Sequence, residues 1–166
     1  MKKPPIVCII GKSNSGKTTF IEKLIPELKK RGYRVGTIKH SVHGFDIDLE
    51  GKDSWRHTQA GADIVVLSSP EALAMVCHTG KEVSLDGIAE EYLKDVDVII
   101  AEGFKKEDKP KIEVYRSSIS ESPLCSSLEL LAIVSDKVTE LDVLHFELND
   151  AIGVACLIEE KFLERC

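Results

Sequence analysis

Eight consecutive residues near the start of the chain have the composition and spacing of a phosphate-binding loop. Residues 11–18 read G-K-S-N-S-G-K-T and fit the pattern G-x-x-x-x-G-K-[ST]. The backbone N–H groups of such a loop surround an anion, and the positive end of the following helix dipole adds to the attraction. The motif predicts that the chain binds a nucleoside triphosphate with Mg²⁺. The residues of this predicted site are Gly11, Lys12, Ser13, Asn14, Ser15, Gly16, Lys17, Thr18 and Thr19.

Within this loop two side chains have predicted chemical roles. Lys17 can reach the β- and γ-phosphates and neutralise charge on them, so we assign it a catalytic role in hydrolysis. The Thr18 hydroxyl can ligate Mg²⁺. Lys12, the second residue of the loop, has two interpretations: it reaches the phosphates of a partner subunit, as in dimeric nucleoside triphosphatases with a G-K-x-x-x-G-K loop, or it is a solvated lysine.

A second signal is an acidic residue at the end of an apolar run. The segment Asp97-Val98-Ile99-Ile100-Ala101-Glu102 has the form of a Walker B strand. In an open α/β sheet, ligands bind beyond the carboxyl ends of the strands, where Glu102 and the loop would meet. Glu102 is therefore predicted to hold Mg²⁺, directly or through water, or to orient an attacking water.

The polar segment 39–52 is predicted to be a functional loop at the same edge of the sheet. Asp48, and with it Asp46, is predicted to approach the metal or the nucleophilic water. The pair His40-x-x-His43 suggests a transition-metal site, although its spacing fits no standard structural zinc site.

A further acidic residue follows a late strand. Asp136 comes after the run Ala132-Ile133-Val134-Ser135 and can accept two N–H bonds from a guanine edge. The usual N-K-x-D sequence is absent, so a turn-forming aspartate is the alternative.

The elements that would position these residues alternate between short β-branched runs and helical patterns. This alternation predicts the α/β class, with a mostly parallel central sheet flanked by helices in one P-loop domain over residues 1–166. Helices are predicted at 17–31, 53–60 (capped by Asp53 or Ser54), 84–93 and after Asn149 or Asp150. Strands are predicted at 5–10, 33–38, 63–67, 73–78, 96–101, 111–116, 130–134 and 144–148.

Bulk composition excludes several classes of function. The 166 residues carry a formal net charge of −6, which argues against a general nucleic-acid binder. No apolar run approaches the length of a membrane span, and no signal peptide is predicted. Of the five cysteines, Cys8 and Cys156 lie in apolar stretches, and we expect buried, reduced thiols in a cytoplasmic protein.

Several segments together resemble one known family. They are the loop with Thr18-Thr19, Thr37-Ile38-Lys39-His40, Gly51-Lys52-Asp53-Ser54-Trp55-Arg56-His57, Ala60-Gly61-Ala62 and Glu102-Gly103-Phe104-Lys105. They resemble the MobB family, the molybdopterin-guanine dinucleotide biosynthesis protein B family. The resemblance covers nearly the whole chain and weakens after about residue 116.

The resemblance implies a homodimeric GTP-binding adapter with weak GTPase activity. Its partners would be molybdopterin or its guanine dinucleotide and the guanylyltransferase that attaches GMP to molybdopterin. Asp53 and Arg56 would lie near the nucleotide or the pterin, and Arg56 is the local candidate for an arginine finger. Two alternatives stay open: a P-loop small-molecule kinase, and a metallochaperone-type GTPase with His40 and His43 as metal ligands.

Overall fold

The computed structural model describes residues 3–41, Gly44 and residues 48–163. The chain divides into two compact units. The first unit contains the residues up to His40 and those from Leu85 onward, and the second unit contains residues 41–84.

The first unit is built on a parallel sheet. In the described residues its six strands lie in the order β2-β5-β1-β6-β7-β8, and every neighbouring pair is parallel. The strands are β1 (Ile6–Ile10), β2 (Val35–Lys39), β5 (Val98–Glu102), β6 (Lys111–Tyr115), β7 (Ala132–Ser135) and β8 (Leu144–Glu147). Their carboxyl ends therefore share one edge of the sheet, where ligands bind in this class of fold.

Helices cover both faces of this sheet. They are α1 (Lys17–Lys30), α3 (Leu85–Tyr92) and α4 (Ala151–Phe162). Alternate residues of β1 and β5 point to opposite faces, and each face has its own apolar cluster, one including α1 and α4 and the other α3. Strands buried on both faces read as continuous apolar runs, which is why β1 and β5 were recognisable in the sequence.

Local interactions fix where α1 ends and where α4 begins. α1 ends in a Schellman motif, because Gly32 has φ 92° and the amides of Gly32 and Tyr33 donate to the carbonyls of Lys29 and Leu28. The N-cap of α4 is Asp150, whose carboxylate accepts from Gly153 N at 2.8 Å. The cap at Asp150 agrees with the sequence prediction.

The second unit contains one helix and one hairpin. Its elements are α2 (Asp53–Gln59), β3 (Ile64–Ser68) and β4 (Leu73–Cys77). β3 and β4 pair antiparallel in a sheet of their own, and α2 packs against β3. The predicted strands 63–67 and 73–78 are thus confirmed, but they lie outside the parallel sheet.

Two detailed predictions are wrong. The N-cap of α2 is Lys52, not Asp53 or Ser54, and it forms no side-chain cap. Cys156 is exposed on α4, where its sulfur lies 3.1 Å from Nη2 of Arg31, because α4 buries its opposite face. Cys8 is buried as expected, and burial raises the pKa of its thiol to about 11. None of the described helices has the length and apolar character needed to span a bilayer.

Candidate nucleotide-binding site

The predicted loop connects β1 to α1 at the carboxyl edge of the sheet, and strand β6 lies directly against it. A Cβ on Gly11 would sit 2.3 Å from the carbonyl oxygen of Val114, and Gly11 has φ +147°. No side chain fits there, so the first glycine of the motif is required by the close approach of two backbones. Asn14, at φ 64°, adopts the left-handed conformation that asparagine tolerates.

Lys17 lies across the mouth of the loop. Its Nζ donates to the carbonyl oxygens of Gly11 at 3.0 Å and Lys12 at 2.8 Å. Burial lowers the pKa of Lys17, while the negative charge of Glu102 opposes that shift and the positive charge of Lys39 adds to it. A phosphate can replace these neutral carbonyls with a charged acceptor, to which hydrogen bonds are stronger.

The start of α1 is open to an anion. Its N-cap is Gly16, at φ 99°, with no side-chain cap, and the first turn contains no acidic residue. The first amides of a helix have no intrahelical partner and carry the positive end of the dipole. The loop and the helix start therefore present donors and positive potential to the same position.

Two oxygen ligands meet beside this anion position. Thr18 Oγ1 donates to the Glu102 carboxylate, at 3.1 Å to Oε2 and 3.2 Å to Oε1. Lys39 Nζ lies 3.6 Å from Glu102 Oε1. The structure thus brings together the two residues predicted to bind metal, since β5 pairs with β1 and delivers Glu102 to the loop.

The other loop residues divide by exposure. Four of them are exposed: Lys12, Ser13, Asn14 and Thr19. Ser15 is only 1% exposed, and its Oγ makes no hydrogen bond within the described part of the chain. The predicted nucleotide-binding role of these residues stays a prediction.

Asp136 lies at the carboxyl end of β7, beside a cleft of about 390 Å³. Its carboxylate accepts from Ser117 N at 2.9 Å and lies 3.3 Å from Ser117 Oγ. A carboxylate has about four lone-pair sites, so further donors can be accepted. The cleft also contains His145, whose Nε2 is 2.9 Å from Ser135 Oγ.

Three predicted residues lie in the second unit. Asp48 is half-buried, and its carboxylate accepts from the neighbouring Leu49 N at 2.9 Å. Asp53 and Arg56 are exposed and lie one helical turn apart, with Arg56 Nη1 3.9 Å from Asp53 Oδ1. Their predicted roles stay predictions.

Of the two histidines in the predicted metal-binding pair, His40 lies within the described residues and His43 does not. His40 belongs to the first unit, where its ring lies 5.1 Å from the Phe104 ring. His43 and Asp46 lie outside the described residues. Within residues 3–41, 44 and 48–163 no group of three or more His, Cys, Asp and Glu side chains could hold a metal ion.

Sequence reasoning missed Arg116. This residue follows β6 directly, and its Nε donates to the carbonyl oxygen of Ser15 at 3.0 Å. It therefore contacts the backbone of the phosphate loop, whereas the only arginine that the sequence analysis names near the nucleotide is Arg56. No local pattern marks this contact, because β6 reads K-I-E-V-Y and is not a continuous apolar run like that of β5.

Comparison with known proteins identifies the family of the chain. Residues 6–136 match the family profile described as MobB, molybdopterin guanine dinucleotide synthesis protein B. The chain belongs to the MobB family. This MobB-family chain is 42% identical over 157 residues to the molybdopterin-guanine dinucleotide biosynthesis adapter protein of Haemophilus influenzae, covering 93% of this chain and 88% of that protein.

Other MobB relatives cover the chain equally well. The Escherichia coli protein of the same name is 36% identical, over 94% of this chain and 92% of its own length. The crystal structure of Bacillus subtilis MobB superposes with a TM-score of 0.77 at 30% identity, covering 94% of this chain and 97% of that one. The resemblance found in the sequence and the predicted α/β fold are thereby confirmed.

Proposed function

We propose that this chain is a Mg²⁺-dependent GTP-binding adapter in the synthesis of molybdopterin guanine dinucleotide. The observation that carries the proposal is the meeting of three side chains at one sheet edge. Lys17 spans the loop mouth, and Thr18 and Glu102 are within hydrogen-bond distance beside it. These are the groups that a triphosphate and its metal require.

Phosphate binding follows from the donors present. The amides at the start of α1 and the Lys17 ammonium would surround the β- and γ-phosphates. Lys17 would exchange the carbonyls of Gly11 and Lys12 for phosphate oxygens. The ammonium would then stabilise the charge that develops during hydrolysis, a step that depends on positioning and electrostatics.

The Thr18–Glu102 pair suits Mg²⁺, which prefers hard oxygen ligands and retains several waters. The hydroxyl and carboxylate would hold the ion between them, with Lys39 limiting the net negative charge. When bound, Mg²⁺ supplies positive charge to the phosphate oxygens. Asp48 is our proposed residue for orienting the attacking water, and Asp48→Asn should slow hydrolysis without weakening GTP binding.

Guanine recognition is assigned to Asp136. Two strand spacings separate β7 from β1, which is roughly 10 Å and suits a base joined through ribose to phosphates held at the loop. The carboxylate at the rim of the neighbouring cleft would accept the N–H groups of the guanine edge.

The adapter role and its partners come from the family. Relatives of this chain are named adapter proteins of molybdopterin-guanine dinucleotide biosynthesis. We therefore propose the guanylyltransferase and molybdopterin or its guanine dinucleotide as partners, slow GTP hydrolysis, and a homodimer that uses the exposed hairpin of the second unit. Free thiols at Cys8, Cys77, Cys125 and Cys156 support a reducing, cytoplasmic compartment.

The test is calorimetric titration of the protein with GTP and with ATP, with and without Mg²⁺. Lys17→Ala should weaken Mg·GTP binding by roughly 10- to 100-fold, since a hydrogen bond to a charged group contributes about 1.5–3 kcal/mol. Lys23→Ala, on the same helix but bonded to Asn149, is the matched control and should bind as wild type. Equal affinity of wild type and Lys17→Ala would refute the site.

The same titration tests the proposed Mg²⁺ binding by Thr18 and the proposed guanine recognition by Asp136. Thr18→Ala should lose most of the affinity gained from Mg²⁺, whereas its metal-free affinity should stay close to that of wild type. GTP should bind more tightly than ATP, and Asp136→Asn should reduce that preference. A preference for ATP in the wild type would refute the guanine assignment.

A further inference from the structure

Arg116 holds the phosphate loop from the side opposite to its anion position. β6 runs parallel to β1 with Ile10 opposite Glu113, so both strands end at the same edge. The guanidinium then reaches the loop, and Nε donates to the Ser15 carbonyl at 3.0 Å. This is a contact between residues 101 apart in sequence.

The consequence follows from the geometry of one peptide unit. The Ser15 carbonyl and the Gly16 N–H belong to the same planar trans peptide and point in opposite directions. A donor that fixes the carbonyl on one side therefore fixes the Gly16 N–H on the other. Within the described residues this amide has no hydrogen-bond partner, so it is available to an anion at the start of α1.

Packing holds the guanidinium in this position. A Cβ on Gly16 would lie 3.3 Å from Nε and 3.4 Å from Nη2 of Arg116, so the guanidinium lies against the glycine. The backbone of Arg116 is also held, because its carbonyl accepts from Ile119 N at 3.0 Å and Ser120 N at 3.1 Å. The side chain therefore extends from a fixed base.

The charge of Arg116 adds to the potential at the loop. Among residues 3–41, 44 and 48–163 it forms no ion pair. An unneutralised guanidinium on the outer side of the loop raises the positive potential that an anion meets inside.

We propose that Arg116 is a positioning residue of the phosphate site, which fixes the Ser15–Gly16 peptide so that the Gly16 amide donates to a bound polyphosphate. The proposal rests on the proposed nucleotide-binding function, since it requires that a phosphate occupy the loop. It assigns to β6 a part in triphosphate binding that the loop motif alone does not contain.

Three variants separate the hydrogen bond from the charge. Arg116→Ala removes both, Arg116→Gln keeps a donor without charge, and Arg116→Lys keeps charge without the planar fork. Arg34→Ala, an exposed arginine at the opposite edge before β2, is the control for loss of one positive charge. The ligands are Mg·GTP and inorganic triphosphate, measured by titration calorimetry.

We expect the affinity for both ligands to fall when the hydrogen-bond donor at position 116 is lost. Arg116→Ala should weaken both ligands about tenfold, the size of one lost hydrogen bond. Arg116→Lys and Arg116→Gln should each recover part of that loss, while Arg34→Ala should stay within twofold of wild type. In ¹H–¹⁵N spectra, triphosphate should shift the Gly16 amide in wild type and shift it less in Arg116→Ala.

The outcomes distinguish this inference from the proposed function. If wild type binds triphosphate, Lys17→Ala does not, and Arg116→Ala binds within twofold of wild type, the inference is overturned and the function stands. If wild type itself does not bind, both are overturned. Should Arg116→Ala fail to fold, Arg116→Met gives the same comparison, because it also lacks a donor and a charge but keeps an unbranched side chain. Triphosphate affinity and a Gly16 shift equal to those of wild type in that variant would overturn the inference.

Discussion

At the scale of single residues, Lys17 carries its charge where burial opposes it. Two neutral carbonyls, from Gly11 and Lys12, are its described hydrogen-bond partners. Burial lowers the pKa of its ammonium more than the charge of Glu102 raises it. An anion in the loop would reverse this balance, because a negative charge nearby favours the protonated amine.

Triphosphate affinity should therefore fall with rising pH before an ordinary lysine titrates. The free protein loses the Lys17 proton below the usual value of 10.5, and a neutral amine no longer attracts phosphate. Titration calorimetry should show the decline between neutral pH and 10.5. The ligand is inorganic triphosphate, because it lacks the guanine ring of GTP.

Lys17→Arg is the control, because a guanidinium stays charged throughout this range. Its affinity should be lower at neutral pH but nearly independent of pH up to 10.5. Parallel declines in wild type and Lys17→Arg would show that another group is responsible.

The site residues that the sequence predicted are those whose proposed roles depend on local spacing. Lys17 and Thr18 are positioned by a continuous motif, and Glu102 by the strand that it ends. Arg116 acts through the Ser15 carbonyl, a backbone group that every residue possesses, so no residue type at the loop indicates the contact. Only the adjacency of β1 and β6 reveals it.

At the scale of elements, β6 supports the site along its length. The Val114 carbonyl occupies the space that a side chain at Gly11 would need, and Arg116 holds the Ser15 carbonyl. Glu113, which precedes Val114 on the same strand, is only 1% exposed and accepts from Leu124 N at 2.7 Å and Cys125 N at 3.2 Å. The strand therefore connects the phosphate loop to the segment that precedes β7.

Glu113 should make stability depend on pH in a defined direction. Burial raises its pKa above 4.5, although the Leu124 and Cys125 amides and the charge of Lys12 oppose the shift. The native state then binds more protons than the unfolded state between 4.5 and the native pKa. Its contribution to stability is fully present below pH 4.5 and is lost as pH rises through the native pKa.

Urea unfolding of wild type and Glu113→Gln between pH 4.5 and 8 measures this contribution. The difference in unfolding free energy, wild type minus variant, should be largest at pH 4.5 and decrease as pH rises, since glutamine does not titrate. Glu121→Gln, at an exposed position in the following loop, should show no such trend. A difference that grows with pH would contradict the predicted sign.

Element types were predictable, whereas their grouping into sheets was not. Continuous apolar runs and helical periodicity identified the strands and helices of both units. The runs at β3 and β4 resemble strands of a larger sheet, but sheet membership depends on pairing between distant segments. Cys156 was misplaced because α4 is apolar on much of its surface, so its sequence does not show which side faces the sheet.

At the scale of the whole molecule, the hairpin of the second unit leaves one apolar face open. Ile64, Val66, Leu73 and Met75 alternate along β3 and β4 on the same side and are 38–70% exposed. Val65, on the opposite side, is buried. A contiguous apolar face of this kind is typical of a protein interface, and a second copy of the chain presents a complementary face by symmetry.

Placing a charge on this face should dissociate the proposed homodimer. Val66→Glu would bury a carboxylate opposite apolar side chains, which is costly without a partner charge. Light scattering after size exclusion should give twice the 18.4 kDa chain mass for wild type and 18.4 kDa for the variant. Glu71→Lys, in the turn between β3 and β4, changes charge outside the face and should remain dimeric. A monomeric wild type, or a Val66→Glu variant that stays dimeric on dilution, would contradict a homodimer formed through this face.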